Sequence, residues 1–220
     1  MIGKRIAAKV LTMRLIPNLS PDLRQALHLR EDCSAIGLLS ADSDDVTYMA
    51  LDEATKTANV EVVYARSLYA GAANASTALA GEVIGVLAGP TPAEVASGLR
   101  AAEVFIESEV GFQTANEAGD VVYLAHCVSR SGSYLAAVAQ VPQGQALAYL
   151  VAPPVEAVVG LDAALKSSDV ELRQFFAPPT ETNFSGGLLT GTQSACQAAC
   201  EAFALSVTEM ASRPKDLGGM

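Results

Sequence analysis

LDEATKTANVE, from Leu51 to Glu61, and LDAALKSSDVE, from Leu161 to Glu171, carry leucine, aspartate, alanine, lysine, valine and glutamate at the same places, 110 positions apart. A second pair follows in the same order: LAGPTPAEV from Leu87 and LTGTQSACQ from Leu189, 102 positions apart, each a strand end running into a helix start. Two matched blocks in one order, with a shorter connection in the second copy, mark an internal repeat. The 220-residue chain therefore reads as two domains, residues 1–112 and 113–220, each of a size that can bury a core.

The same elements are expected in both halves. A first strand is predicted over Val10–Ile16 and again over 121–129, then a turn or short helix near 20–27 and 131–139. A second strand covers 35–41 and 146–152, and a helix runs over about 45–58 and 154–167. A short strand, a loop rich in Gly, Asn and Thr, another strand and a closing helix complete each half. The closing helices have clear starts. Thr91-Pro92-Ala93-Glu94 places a hydroxyl cap, a proline at the first helical position and a glutamate at the third, the capping-box arrangement, and Thr192 is the matching cap. Val95, Leu99, Ala102 and Ile106 then share one face, as do Cys196, Ala199, Cys200, Phe203, Val207 and Met210. Helices that each lay one apolar stripe on a sheet give an α+β layer architecture.

Half of the residues are hydrophobic and 17% are charged, against roughly 25% in an average soluble domain. Either an Ala- and Gly-rich composition or a surface buried against other subunits accounts for that. The net charge of −10, with no run of Lys or Arg, repels a phosphate backbone, so nucleic-acid binding is not expected. The N-terminal MIGKRIAAKVLTMRLIPN has basic residues near an apolar stretch, but Lys9 and Arg14 interrupt it, and it reads as a strand rather than a leader. No stretch reaches the ~18–20 apolar residues of a membrane span, and a soluble, cytoplasmic protein is expected.

The segments that carry the helix-to-strand pattern are more specific than any of this. Ala54-Thr55-Lys56-Thr57-Ala58-Asn59-Val60-Glu61 and AALKSSDVELRQFF, followed by GGLLTGTQSACQAACEAF, resemble the shell domain of bacterial microcompartments. In a standard shell domain that segment lies near the start, whereas here two elements precede it in each half, an order similar to the circularly permuted, tandem shell proteins. SADSDDVTYMALDEATK, VVYARSLYAGAANAS, VSRSGSYL, AYLVAPPVEA, DAALKSSDVEL and PPTETNFSGGLLTGTQSACQAAC extend the likeness from Ser40 to Cys200, and narrow it to the shell proteins of ethanolamine utilisation. The resemblance implies two permuted ferredoxin-like shell domains in tandem and a homotrimer forming a pseudohexagonal tile. It further implies edge contacts to other microcompartment shell proteins, and a gated central pore for metabolites whose closure is favoured by bound ethanolamine.

Read by itself, the acidic cluster Asp42, Asp44 and Asp45 caps a helix start, where carboxylates favour the macrodipole and bond free N–H groups. Carboxylates also suit a small ammonium ion, and the resemblance implies that Asp44 and Asp45 bind ethanolamine. It carries over the same role to Glu82 at a strand start, to Phe112, and to Thr182, Asn183 and Phe184 in the loop of the second repeat. Otherwise Glu82 would be solvated, Phe112 a core residue, and Thr182 and Asn183 turn residues.

A catalytic reading finds little support. His126 and Cys127 are adjacent, and on a strand neighbouring side chains point to opposite faces, so they cannot form a nucleophile–base pair. None of the hydrolase, zinc-protease or nucleotide-binding signatures occurs, and no catalytic residue, metal or cofactor is expected. The four cysteines, Cys33, Cys127, Cys196 and Cys200, lack metal or redox spacing and read as small apolar residues. Arg130-Ser131-Gly132-Ser133 could line a polar passage or form a solvated turn. A free-standing amine sensor and a cysteine-dependent hydrolase are the competing readings to a shell tile.

Overall fold

A computed structural model describes residues 1–67, 83–108, 110–178 and 184–215. The first repeat runs β2 (Val10–Ile16), α1 (Pro21–Ala26), β3 (Ala35–Ala41), α2 (Asp44–Thr57), β4 (Glu61–Ser67), β5 (Val83–Gly89) and α3 (Pro92–Ile106). The second runs β7 (Val122–Val128), α4 (Ser133–Ala139), β8 (Ala146–Ala152), α5 (Pro154–Ser167), β9 (Val170–Phe176), β10 (Ser185–Gly191) and α6 (Gln193–Ser212). The strand order is β2-β3-β5-β4 in one sheet and β7-β8-β10-β9 in the corresponding part of the other, all pairs antiparallel. The repeat read from sequence is therefore a repeat of topology. His28 (φ 52°) and Gln140 (φ 53°), the non-glycine residues in left-handed conformation among those described, fall 112 positions apart at the ends of α1 and α4, so even a local backbone feature is copied.

Two short strands were not apparent in the sequence. β1 (Arg5–Ile6) and β6 (Phe112–Thr114) pair with each other, Arg5 opposite Gln113, and extend the second sheet beyond β7 to six strands. Two or three residues are too few for an alternating pattern to register.

The chain forms two compact units, and neither is one continuous stretch. One comprises Ala7–Val110 with Ser131–Ala137, and the other Met1–Ile6, Gly111–Arg130 and Val138–Met220.

In the first unit, α2 and α3 pack on one face of the sheet, burying Leu39, Leu51, Leu87, Leu99 and Ile106. The approach is close. A Cβ on Gly37 would lie 2.7 Å from Leu99 Cγ, so this strand position requires a residue without a side chain. Leu19 and Cys33, from the segments on either side of α1, cover the opposite face with Ile36, Val86 and Ala88. The α3 start is capped as expected on one side only: Thr91 Oγ1 accepts the Glu94 N–H at 3.2 Å. Glu94 does not reach back to close the box, because its Oε2 accepts the Asn59 N–H at 2.8 Å and ties α3 to the turn after α2.

Within Arg130–Ser133 the outer two residues are exposed, but the middle of the turn is not solvated. Ser131 and Gly132 are buried against α2. The Asp52 carboxylate accepts the N–H groups of Gly132 (2.7 Å) and Leu135 (2.8 Å), and Thr55 Oγ1 accepts that of Ser133 (3.0 Å). Tyr134 packs at a tilt on Tyr48, ring centroids 6.4 Å apart. Asp52 is wholly buried and 3.8 Å from Lys56 Nζ. Burial pushes its carboxyl up while the two amide bonds and the lysine oppose the shift.

In the second unit, α5 and α6 pack on the face of the sheet lined by Ala146, Ala148, Leu150 and Ala152, with Phe203 and Val207 buried between. Thr192 Oγ1 accepts the Ala195 N–H at 3.1 Å, the cap predicted for α6. Arg173 on β9 donates to the carbonyls of Ala139 and Gln140 and fixes the end of α4.

Candidate functional site

The strand-to-helix turn from β3 into α2 gathers the acidic cluster, and its three aspartates do different things. Asp42 Oδ1 accepts the Lys9 N–H at 2.6 Å, and its own N–H donates to the Lys9 carbonyl at 3.1 Å. Asp42 thus clamps β2 to β3 where their register shifts, between Val10 and Thr12. Ser43 occupies the cap position with extended backbone but makes no side-chain cap bond, and its buried hydroxyl oxygen has no hydrogen-bond partner.

Asp44, the first helical residue, takes over the cap's work. Its Oδ1 accepts the Asp45 N–H at 2.9 Å and its Oδ2 accepts the Ser67 hydroxyl at 3.1 Å. Desolvation raises the Asp44 carboxyl above its ordinary value; hydrogen bonds from the Asp45 amide and the Ser67 hydroxyl partly offset this. No Lys or Arg among the described residues forms an ion pair with Asp44. Asp45 beside it is buried. A half-buried, desolvated carboxyl with no lysine or arginine paired to it is electrostatically disposed to hold a small cation. Ser67 is part of this arrangement, yet nothing in its sequence context, the end of a strand 23 residues away, distinguishes it from a solvated serine.

In the other unit, Phe112 opens β6 opposite Ile6, and its ring lies 5.3 Å, centroid to centroid, from that of Phe184, which directly precedes β10. Both rings are half-buried. The structure therefore brings Asp44 to Asp45 and Phe112 to Phe184. Glu82, Thr182 and Asn183 lie outside the described residues.

The cysteines are all free. Cys127 Sγ lies 3.7 Å from the Gln193 carbonyl, and burial raises its thiol. Burial pushes Cys196 up to about 11 and raises Cys200 further. These thiols are protonated at neutral pH and poorly nucleophilic. Among the described residues no group of three His, Cys, Asp or Glu side chains is placed to hold a metal ion, and no helix is long and apolar enough to cross a membrane.

The family model for the BMC domain matches residues 35–117, beginning at β3, so β2 and α1 lie ahead of the matched stretch. The bacterial microcompartment shell protein EutL of Clostridium perfringens is 62% identical over 209 residues, 95% of this chain and 96% of that protein. EutL of Escherichia coli is 54% identical over 95% of each chain. Among solved structures, the ethanolamine utilization protein EutL from Leptotrichia buccalis superposes with a TM-score of 0.95 at 58% identity, over 98% of this chain and 100% of that one.

Proposed function

The chain belongs to the EutL family of bacterial microcompartment shell proteins, and from that footing we propose that three copies form a pseudohexagonal tile with a gated central pore. The tile sits in the microcompartment shell, edge to edge with other shell proteins, and passes metabolites rather than transforming them. The observation that carries this reading is the duplication itself. Two units with one strand order supply two near-equivalent sectors per chain, so three chains make six sectors around a ring. On this reading each sequence repeat, 1–112 and 113–220, is one permuted shell domain.

Ethanolamine is the regulating ligand on this proposal, its ammonium held by Asp44 or Asp45 together with Glu82. Thr182, Asn183, Phe184 and the backbone of Phe112 complete the site. The uncompensated, desolvated carboxyl of Asp44 supports the assignment. A ligand that binds the closed arrangement more tightly than the open one shifts the pore toward closure, by no more than that difference in affinity. Light scattering coupled to gel filtration tests the assembly: about three times 22.7 kDa is expected, with hexagonal sheets in electron micrographs of concentrated protein. A clean monomer at micromolar concentration rules the tile out.

A further inference from the structure

The two repeats copy one another in topology but not in what covers their first long helix. On α2 the outward face is closed: Asp45 is 7% exposed, Met49 2% and Asp52 0%. Over Tyr48 and Asp52 the cover is the Ser131–Ala137 segment of the second repeat, whose Tyr134 packs on Tyr48, whose Leu135 is 2% exposed and whose amides bond Asp52. The counterparts on α5, 110 positions on, are Val155, Val159 and Asp162. Val155 is 66% exposed and Val159 43%. Val158, matching Tyr48, is exposed as well, and Asp162 pairs with Lys166 one turn along its own helix. The counterpart of the covering segment, 112 positions back in the register fixed by His28 and Gln140, runs from Leu19 to Gln25. Leu19 packs into its own sheet, but the rest of the segment is bare: α1 buries no residue, and Leu23, matching Leu135, is 49% exposed.

We infer that the exposed face of α5 is the docking surface for the α1 segment of a second copy of this chain, with Leu23 set against Val155, Val158 and Val159 as Leu135 is set against α2. The inference rests on the tile reading and specifies its contact. One surface pair is satisfied within the chain, while its duplicate has both halves open and complementary. An apolar stripe faces an apolar side chain, and the Asp162 carboxylate faces the turn whose equivalent amides bond Asp52. The contact joins different surfaces, so each copy offers α1 to one neighbour and α5 to the next, and the series closes as a ring when the rotation allows. The duplicate is not a perfect copy. Ser20 replaces Gly132, where a Cβ would meet the Asp52 carbonyl at 2.5 Å, and Leu165 replaces Thr55. The turn therefore stands further from α5 than its counterpart does from α2, and the apolar contact dominates.

A photo-crosslinking residue at position 23, in a mixture of isotopically light and heavy full-length chains, identifies the partner directly. Mixed light–heavy crosslinks from position 23 to peptides spanning 154–167 are expected. Leu23→Asp and Val159→Asp should each lower the mass in solution from about three chains to one, with far-UV circular dichroism unchanged. A wild-type trimer that survives both substitutions, or that crosslinks elsewhere, overturns this contact and leaves the tile standing. A wild-type monomer overturns both.

Discussion

Asp52 and Gly132 meet at 2.7 Å, a wholly buried carboxylate accepting the backbone N–H of a residue 80 positions later in the chain. Leu135 donates to the other carboxylate oxygen. An acceptor removed from such a place leaves two buried amides unsatisfied. Asp52→Ala should therefore cost about 3 kcal/mol in denaturant unfolding, and Asp52→Asn less, because its amide oxygen still accepts one bond. Equal stability of Asp52→Ala and wild type would show that water replaces the carboxylate without loss.

Asp44 gives a pH dependence whose sign is fixed. Burial holds its folded-state carboxyl above the ordinary value of 3.8. Between that value and the raised one, the folded state keeps a proton that the unfolded chain has released. Asp44 therefore favours the folded state most at acid pH, and this contribution is lost as pH rises through the window. Thermal unfolding of wild type and Asp44→Asn across pH 3 to 7 should show the slope in the first and its loss in the second.

Ethanolamine binding runs the other way with pH, because the ammonium ion needs the ionised carboxylate. Calorimetric affinity should fall as the solution is acidified through the raised Asp44 value. Glu82→Gln and Asp44→Asn should each weaken binding at neutral pH by about tenfold, or ~1.4 kcal/mol. Unchanged affinity in either variant removes that residue from the site. No heat from wild type at tens of millimolar removes ethanolamine.

The thiols should behave as packing groups. With Cys196 raised to about 11 and Cys200 higher, an aromatic disulfide reagent at pH 7.5 should react slowly with both in native protein and rapidly after denaturation. Alkylating Cys127 should leave assembly unchanged. Thiol-sensitive turnover of an ester or amide would contradict the shell assignment.

Gly37→Ala tests the packing of α3 on its sheet. A Cβ placed 2.7 Å from Leu99 Cγ must displace that side chain from a filled core. A loss of about 1–3 kcal/mol is expected, read as a lowered midpoint in denaturant.

The sequence was informative where a pattern spans many residues. The repeat blocks at Leu51 and Leu161 pointed to one element order shared by both halves, and Thr91 and Thr192 marked the helix starts where hydroxyl caps are found. It was less informative where a role depends on a distant partner. Glu94 looked like half of a capping box but serves Asn59. Ser67 gave no sign of reaching Asp44, and RSGS gave none of docking on α2, because a turn sequence records its own conformation and not the surface it meets. Asp42, Asp44 and Asp45 read alike as acidic residues, and their separation into a strand clamp, a desolvated carboxyl and a buried neighbour comes from the tertiary setting.

The reciprocal loan of Met1–Ile6 and Ser131–Ala137 has a bearing on how this protein can be cut and how it can evolve. A break between residues 112 and 113 would strand β1 on one fragment and most of its sheet on the other. It would also leave Asp52 and Tyr48 uncovered, awaiting a cover that departed with the second fragment. Neither half is a module that can be excised, duplicated again or traded for a single-domain relative without first repairing an edge strand and a buried carboxylate.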